Sequence, residues 1–231
     1  MTFWEHLDEM RSRLWRMLLA ALVAAVTCFC LKEPLFHIIL APKGDNIALV
    51  NIEITQQFFT HMRVALWMGI ILVSPYLIYQ LFAFVAPGLY TLERRLAFRA
   101  AGGGYLLFLA GVLLNYFVIF PFTVQFLGTY QVSTEVPNQI SLSSYISLLT
   151  VMTLLMGVVF ELPVLCWLLG KFGILKSAFM KKYRRHTIVV ILIVAAVITP
   201  TGDPFTLSLV SVPIYILWEL SILIVKGSER K

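Results

Sequence analysis

The chain alternates between long runs without charge and shorter segments that hold its charged residues. Six runs contain no Asp, Glu, Lys or Arg, and they cover residues 17–31, 64–92, 100–134, 139–160, 186–202 and 204–218. A helix needs ~20 mainly apolar residues to cross a hydrocarbon core about 30 Å thick. The pattern therefore predicts an all-α, polytopic membrane protein with six transmembrane helices.

The predicted spans divide the chain into membrane and loop segments. They are placed at about 14–31, 63–85, 97–120, 145–169, 187–200 and 205–225. Residues 1–13 are predicted to form an amphipathic helix on the membrane surface, because apolar residues recur there at helical spacing. Residues 32–62 and 121–144 are predicted to form caps on the opposite side. Together these segments make residues 1–231 a single six-span membrane domain.

The fifth and sixth helices are predicted to be short. The apolar part of the fifth run, 187–199, has 13 residues, or ~20 Å at about 1.5 Å per residue. This length leaves a hydrophobic mismatch unless flanking residues snorkel or the bilayer thins. The sixth run regains length only by including Glu219 near one end. The sequence TPTGDP, 199–204, predicts a tight reversal that makes these two helices a hairpin.

Composition agrees with a membrane location, and charge adds an orientation. The chain is 60% hydrophobic and 13% charged, whereas soluble domains average roughly 45–50% and about 25%. With flanking segments assigned to alternating sides, all 18 Lys and Arg residues except Lys32, Lys43 and Arg63 fall on the side of the termini. The positive-inside rule then predicts that both termini are cytoplasmic. The net charge of +6 follows from this asymmetry and does not indicate nucleic-acid binding.

Two carboxylates on the basic cytoplasmic side are candidates for binding a cation. Glu9 has a structural alternative, because Arg13 lies at i+4 and allows a surface ion pair worth a few tenths of a kcal/mol. For Glu93 the adjacent Arg94 cannot face it on a helix, although flanking basic residues allow loose pairing. The functional interpretation is that both bind guanidinium groups, since the planar fork of arginine matches a carboxylate. Both interpretations stay open on the residues alone.

Two further carboxylates fall within predicted spans. Glu161 lies about 15 Å along a helix from the basic end at Lys171, so it is placed near the middle of the membrane. An ionisable residue there is a functional hypothesis by default. The structural alternative is a hydrogen bond to carbonyls freed by Pro163. Glu219 is closer to the cytoplasmic surface, where snorkelling or pairing with a basic loop is the favoured interpretation.

Signals for catalysis or for a cofactor are missing from the sequence. Cys28, Cys30 and Cys166 lie within spans without metal-ligand spacing, and the four histidines are scattered. There is no H-E-x-x-H, G-x-S-x-G or P-loop motif. Three consecutive glycines, 102–104, are predicted to allow close helix packing. The chain is therefore predicted to be a non-enzymatic protein without metal or cofactor.

Several short motifs follow one another along nearly the whole chain. They are HLDEMRSR at 6–13, Ser74-Pro75, QLFAFVAPGLYTLERR at 80–95, YFVIFP at 116–121, FELPV at 160–164, and Thr199-Pro200 with Asp203. In order, spacing and six-span arrangement they resemble the TatC family, the receptor subunits of the twin-arginine protein translocase. The chain departs from the family at Met10, where leucine is usual, and at Phe82, where tryptophan is common. The register of the Asp203 match is open.

The resemblance implies a cup-shaped six-helix bundle whose cytoplasmic face binds the twin-arginine motif in signal peptides of folded export substrates. It assigns the arginine-binding acids to Glu9 and Glu93, and the intramembrane polar residues to Glu161 and Glu219. The supporting motif residues are His6, Leu7, Arg11, Arg13, Phe84, Pro87, Leu89, Tyr90, Arg94 and Arg95, with Pro200 and Asp203 in the outer hairpin.

The resemblance also implies partners and a location. Family members lie in the bacterial cytoplasmic (inner) membrane and form receptor complexes, as homo-oligomers, with single-span subunits of the TatB type. Subunits of the TatA type are then recruited using the proton-motive force. No nucleotide, metal or nucleic acid is implied.

Two rival functions remain for a chain of this composition. The first is a small proton-coupled secondary transporter or channel in which Glu161 titrates in a water-filled path. No inverted repeat in charge or proline spacing supports it. The second is an intramembrane protease, which the missing nucleophile and base make a poor match.

Overall fold

The computed structural model describes residues 3–44, 47–85, 91–131, 133 and 138–229, and it describes no side chains for 3–6, 84–85 and 91–99. The described chain is almost entirely helical. The helices are α1 Phe3–Cys30, α2 Lys32–Leu40, α3 Gln56–Val85, α4 Thr91–Leu114, α5 Phe120–Thr129, α6 Leu142–Val159, α7 Leu162–Lys171, α8 Ser177–Lys182, α9 Arg184–Ile198 and α10 Pro204–Glu229. Short strands β1, Leu49–Val50, and β2, Ile140–Ser141, complete the elements used below.

Five helical segments are long and apolar enough to cross a membrane. They are Leu7–Cys30, Gln56–Ala83, Ala100–Thr129, Leu142–Lys171 and Pro204–Glu229. The remaining predicted span corresponds to α9, which has 15 residues and is about 22 Å long at 1.5 Å per residue. A short fifth helix is thus confirmed, and the count of six spans stays a prediction.

The prediction of a short sixth helix is wrong. Helix α10 has 26 residues, which gives about 39 Å. The uncharged run ends at Trp218, but the helix continues through Glu219 to Glu229. The Glu219 carboxylate accepts hydrogen bonds from Arg184 and Tyr215.

The structure divides into two compact bodies, and the first comprises Met1–Ile39 and Glu53–Leu106. Within it, α1 packs along α3. The backbone of α1 is one helix from Phe3 to Cys30, so the segment predicted as a separate amphipathic helix continues directly into the first span. Near the far end of this pair, the rings of Phe29 and His61 stack with centroids 4.2 Å apart.

The second body comprises Leu40–Ile52 and Leu107–Lys231. Helix α10 packs against α7, α8 and α9, with a buried cluster formed by Cys166, Met180, Ile222 and Val225. Strands β1 and β2 pair in parallel, with Leu49 opposite Ile140. Segments from the two predicted outer caps are therefore joined by backbone hydrogen bonds.

Two spans are interrupted next to a proline. In the third, residues Asn115–Ile119 form a π-helical turn, which lets the Phe120 N–H bond the Asn115 carbonyl just before Pro121. In the fourth, α6 ends at Val159 and α7 begins at Leu162, with Pro163 in its first turn. Proline lacks an N–H and clashes with the preceding helical turn, which favours each interruption. Helices α3 and α10 nevertheless stay helical through Pro75 and Pro213.

Close packing of α1 and α3 depends on Gly69 rather than on the glycines predicted for this role. A Cβ at Gly69 would lie 2.6 Å from the backbone nitrogen of Ala25. At Gly102 and Gly103 it would meet nothing within 4 Å among the described residues. Close packing is therefore not found at Gly102 and Gly103 in the described part of the chain, and for Gly104 it stays a prediction.

We expect Gly69→Ala to destabilise the protein by about 1–3 kcal/mol, the usual cost of inserting a methyl group where backbone cannot yield. Gly103→Ala is the matched control, and we expect it to be neutral or to stabilise by about 0.5–1 kcal/mol through helix propensity. The measurement is the thermal midpoint of each detergent-solubilised variant. Equal midpoints for the two variants would contradict the packing role of Gly69.

Candidate functional site

The site predicted at Glu9 is a hydrogen-bonded cluster on α1 and α3. Arg13 lies one turn after Glu9 on α1, and its Nε and Nη2 donate to Glu9 Oε1 at 3.0 and 2.7 Å. The two side chains are only 22% and 20% exposed. The pair predicted by the i+4 spacing is therefore present, but it is more buried than a typical surface ion pair.

Arg13 also connects the pair to the neighbouring helix. Its Nη1 donates to Gln80 Oε1 at 2.8 Å, and Gln80 Nε2 donates to the hydroxyl of Tyr76 at 2.8 Å. Gln80 is buried, so its amide is held by partners on both sides. No role was predicted for Gln80 or Tyr76, although Gln80 is the only side-chain amide within the uncharged run 64–92 of the sequence.

One oxygen of Glu9 remains available as an acceptor. Arg13 uses Oε1 for both of its hydrogen bonds, while Oε2 is buried and has no hydrogen-bond partner among the described residues. A carboxylate has about four acceptor positions. Burying a hydrogen-bond acceptor without a partner destabilises the folded protein. Binding of a hydrogen-bond donor at this oxygen is therefore favoured.

The other half of the predicted site lies mostly outside the described side chains. Glu93, Arg94 and Arg95 follow Thr91 in the first turn of α4, for which the structure gives the backbone alone. Phe84 in α3 and His6 in α1 are likewise described by backbone only. The predicted residues Pro87, Leu89 and Tyr90 lie outside the described residues. The pairing of Glu9 with Glu93 stays a prediction.

Two further motif residues on α1 flank Glu9. Leu7 is partly buried, whereas Arg11 is exposed. Nearby apolar side chains of the same helix, Met10 and Leu14, are 44% and 50% exposed. This exposure leaves an apolar strip beside the carboxylate for contact with lipid or a ligand.

Glu161 occupies the break between α6 and α7. Its backbone carbonyl accepts from Val164 and Leu165, which restart the helix. Both carboxyl oxygens are buried, and neither has a hydrogen-bond partner among the described residues. The structural alternative, a hydrogen bond to a carbonyl freed by Pro163, would need a protonated carboxyl, and no such bond is formed.

Glu219 has the pairing that the sequence favoured. Its Oε2 accepts from Arg184 Nη2 at 2.5 Å, and Arg184 is the first residue of α9. Its Oε1 accepts from the Tyr215 hydroxyl one turn earlier on α10, at 3.2 Å. This carboxylate therefore connects α9 to α10 through a basic residue of the fourth loop.

The predicted hairpin between α9 and α10 is confirmed, and Asp203 caps its second helix. Asp203 Oδ1 accepts from the Thr206 N–H at 2.7 Å, and Oδ2 accepts from the Thr201 hydroxyl at 2.7 Å. Pro200 is exposed in the turn, and Gly202 has a positive φ of 63°. Partial burial works to raise the pKa of Asp203, but hydrogen bonds from Thr206 and Thr201 outweigh it and lower the pKa below its usual value.

A metal site is not evident in the described part of the chain. No three His, Cys, Asp or Glu side chains there are grouped to hold an ion. The chemistry of the cluster around Glu9 is instead that of a carboxylate acceptor for guanidinium or ammonium groups.

The family model for TatC, the Sec-independent protein translocase protein, matches residues 5–213. The chain belongs to the TatC family. Its relatives include the translocase protein TatCy of Bacillus subtilis, 36% identical over all of this chain and 91% of that protein. The TatC protein of Helicobacter pylori is 37% identical over 96% of this chain and 86% of its own length.

A solved structure supports the same assignment. The fold is similar to that in a crystal structure of the twin-arginine translocase receptor TatC, with a TM-score of 0.84 and 29% sequence identity over 96% of this chain and 99% of that one. Membership and the five apolar helices together make this TatC-family chain a multi-pass bacterial membrane protein of the twin-arginine translocase.

The cap at Asp203 predicts a stability that depends on pH. Because its pKa is lowered on folding, its contribution is complete above the unfolded value of about 3.9 and is lost as pH falls through the folded pKa. We expect Asp203→Ala to cost about 0.5–2 kcal/mol at pH 7.

The measurement is chemical unfolding of the detergent-solubilised protein between pH 7 and pH 3. Asp203→Asn is the matched control, because its amide oxygen still accepts from Thr206 but does not titrate. We expect the difference between wild type and Asp203→Ala to shrink in acid. A constant difference over this range would contradict the ionic cap.

Proposed function

We propose that this chain is the signal-peptide receptor of a twin-arginine translocase in the bacterial cytoplasmic membrane. In this proposal the chain crosses the membrane six times as a single domain, α9 being the short fifth span, and both termini are cytoplasmic. Support comes from membership of the TatC family and from the concentration of Lys and Arg on the side of the termini. The chain acts by binding and assembly rather than by catalysis.

The receptor site is proposed to bind the two signal arginines through Glu9 and Glu93. The observation that carries this proposal is that Oε2 of Glu9 has no hydrogen-bond partner among the described residues, whereas Oε1 is already held by Arg13. Arg13 and Gln80 fix the direction of the carboxylate, so a signal guanidinium meets an oriented acceptor. A guanidinium fork then forms charge-assisted hydrogen bonds that lysine cannot match in geometry.

The remaining motif residues are proposed to shape the two halves of this site. On α1 these are His6, Leu7 and Arg11, and around Glu93 they are Phe84, Pro87, Leu89, Tyr90, Arg94 and Arg95.

Assembly with single-span subunits of the TatA and TatB types is proposed to follow signal binding, with the receptor as a homo-oligomer and the proton-motive force driving recruitment. Support comes from α9, which is about 22 Å long and offers exposed apolar side chains at Val189, Ile193 and Val197. A helix this short favours local thinning of the bilayer. Pro200 and Asp203 would hold the outer hairpin of α9 and α10 in place.

Binding of a twin-arginine signal peptide tests the receptor site. We expect Glu9→Gln and Glu93→Gln each to weaken binding at least about tenfold, because each removes a charge-assisted hydrogen bond worth about 1.5–3 kcal/mol. The measurement is the Kd of a fluorescent peptide for the purified chain in nanodiscs. Glu33→Gln, an exposed carboxylate predicted on the outer side, is the matched control. A double Glu9, Glu93 variant with unchanged affinity would show that this pairing is wrong.

The carboxyl of Glu161 has no hydrogen-bond partner in the part of the chain that the structure describes, and this supports a second candidate function, proton-coupled transport or channel activity. The receptor proposal expects the purified chain alone to carry no proton flux in liposomes. Flux that disappears in Glu161→Gln but persists in the control Glu53→Gln would favour the transporter instead. The measurement is the decay of an imposed pH gradient, followed with an entrapped dye.

A further inference from the structure

The second body carries a narrow apolar groove directly beside a cluster of basic residues. We propose that this groove between α9 and α10 holds one acyl chain of an anionic phospholipid whose headgroup lies on the basic residues at the start of α9. The site would be a structural lipid site of the membrane-embedded chain. It does not depend on how signal peptides are recognised.

The groove has a volume of about 260 Å³ and an almost wholly apolar lining. Its walls are formed by Ile188, Ile191 and Leu192 of α9 and by Val212, Tyr215 and Ile216 of α10. Ser211 also faces it, but the Ser211 hydroxyl donates to the Leu207 carbonyl at 2.6 Å. A polar ligand would find no free donor there, whereas a hydrocarbon chain matches the lining.

Basic residues precede the groove. Arg184 and Arg185 are exposed about one helical turn before Ile188, and Lys182 is exposed at the end of α8, with its Nζ 5.9 Å from the centroid of the Tyr183 ring. Glu219 neutralises Arg184, so the positive charge available to a ligand comes chiefly from Lys182 and Arg185. The first turn of α9 also lacks a side-chain cap, and uncapped N–H groups at a helix start favour a phosphate.

Tyr215 joins the groove to the basic cluster. Its ring lines the groove while its hydroxyl donates to Glu219, the carboxylate that holds Arg184. A phosphate on Lys182 and Arg185 would therefore lie at the polar end of the same groove that receives an acyl chain. A basic surface that adjoins an apolar groove matches the charged headgroup and the acyl chain of a phospholipid. Basic clusters beside membrane helices also attract anionic headgroups.

The size of the groove favours a lipid chain over a helix of a partner protein. A helix with its side chains is about 10–12 Å across, whereas this groove is lined by side chains from about one turn of each helix. A segment of an acyl chain fits such a cleft, and the rest of the acyl chain would lie in the surrounding bilayer. The alternative occupant that fits the groove is a single side chain inserted from a partner helix.

Native mass spectrometry of the full-length chain in detergent tests the proposal, with phosphatidylglycerol and phosphatidylcholine of identical acyl chains added at equal concentration. We expect wild type to retain phosphatidylglycerol several-fold more than phosphatidylcholine. Lys182→Gln with Arg185→Gln should remove that preference, whereas the matched control Arg11→Gln with Arg16→Gln should keep it. Arg184 is left unchanged because it holds Glu219.

A second pair of variants tests the groove itself. Val212→Trp fills it and should reduce retention of both lipids several-fold, while Val189→Trp, an exposed valine of α9 outside the lining, should not. Equal retention of the two lipids by wild type, or unchanged retention in Val212→Trp, would overturn the proposal. So would a photo-crosslinker at residue 212 that labels a single-span protein instead of lipid in native membranes.

Discussion

Inside a hydrocarbon core no water is available to bond a freed backbone carbonyl, so each proline in a span has to be compensated within the protein. Pro75 leaves the carbonyl of Ile71 without its helical donor, and the hydroxyl of Ser74 bonds that carbonyl at 2.6 Å. Helix α3 therefore remains continuous for 30 residues. In the motif Ser74-Pro75 the serine hydroxyl thus donates the hydrogen bond that the proline, which has no N–H, cannot donate.

The same constraint has a different outcome at Pro121 and Pro163, which follow Phe120 and Leu162 rather than a hydroxyl residue. Before Pro121 the helix widens into a π-turn at Asn115, whose buried amide donates to Thr153 at 2.8 Å. Before Pro163 the helix breaks, and there both buried carboxyl oxygens of Glu161 have no hydrogen-bond partner among the described residues. The break therefore places an acidic side chain in low-dielectric surroundings.

Hydrophobic pattern was sufficient to find the five long spans because a membrane helix is specified by composition over ~20 residues. It ended the last span at about residue 225, whereas α10 continues to Glu229, because the polar residues from Lys226 onward end the apolar run but not the helix. It also missed the bond from Arg13 to Gln80, which joins positions 67 residues apart. Close packing at Gly69 rather than at Gly102 was equally hidden, because both glycines lie in apolar helical sequence and only the neighbouring backbone distinguishes them.

The geometry around Glu9 bears on how a ligand arginine would enter. Arg13 places both of its hydrogen bonds to Glu9 on one oxygen, and Gln80 holds the rest of the guanidinium. A second guanidinium can therefore join at Oε2 without displacing Arg13, provided that a side-chain rotation uncovers this buried oxygen. Because one carboxylate would then face two cations, the like-charge repulsion between them limits the affinity at Glu9 alone. A second carboxylate nearby would relieve that repulsion, which is a physical reason for a receptor to use two acids for two arginines.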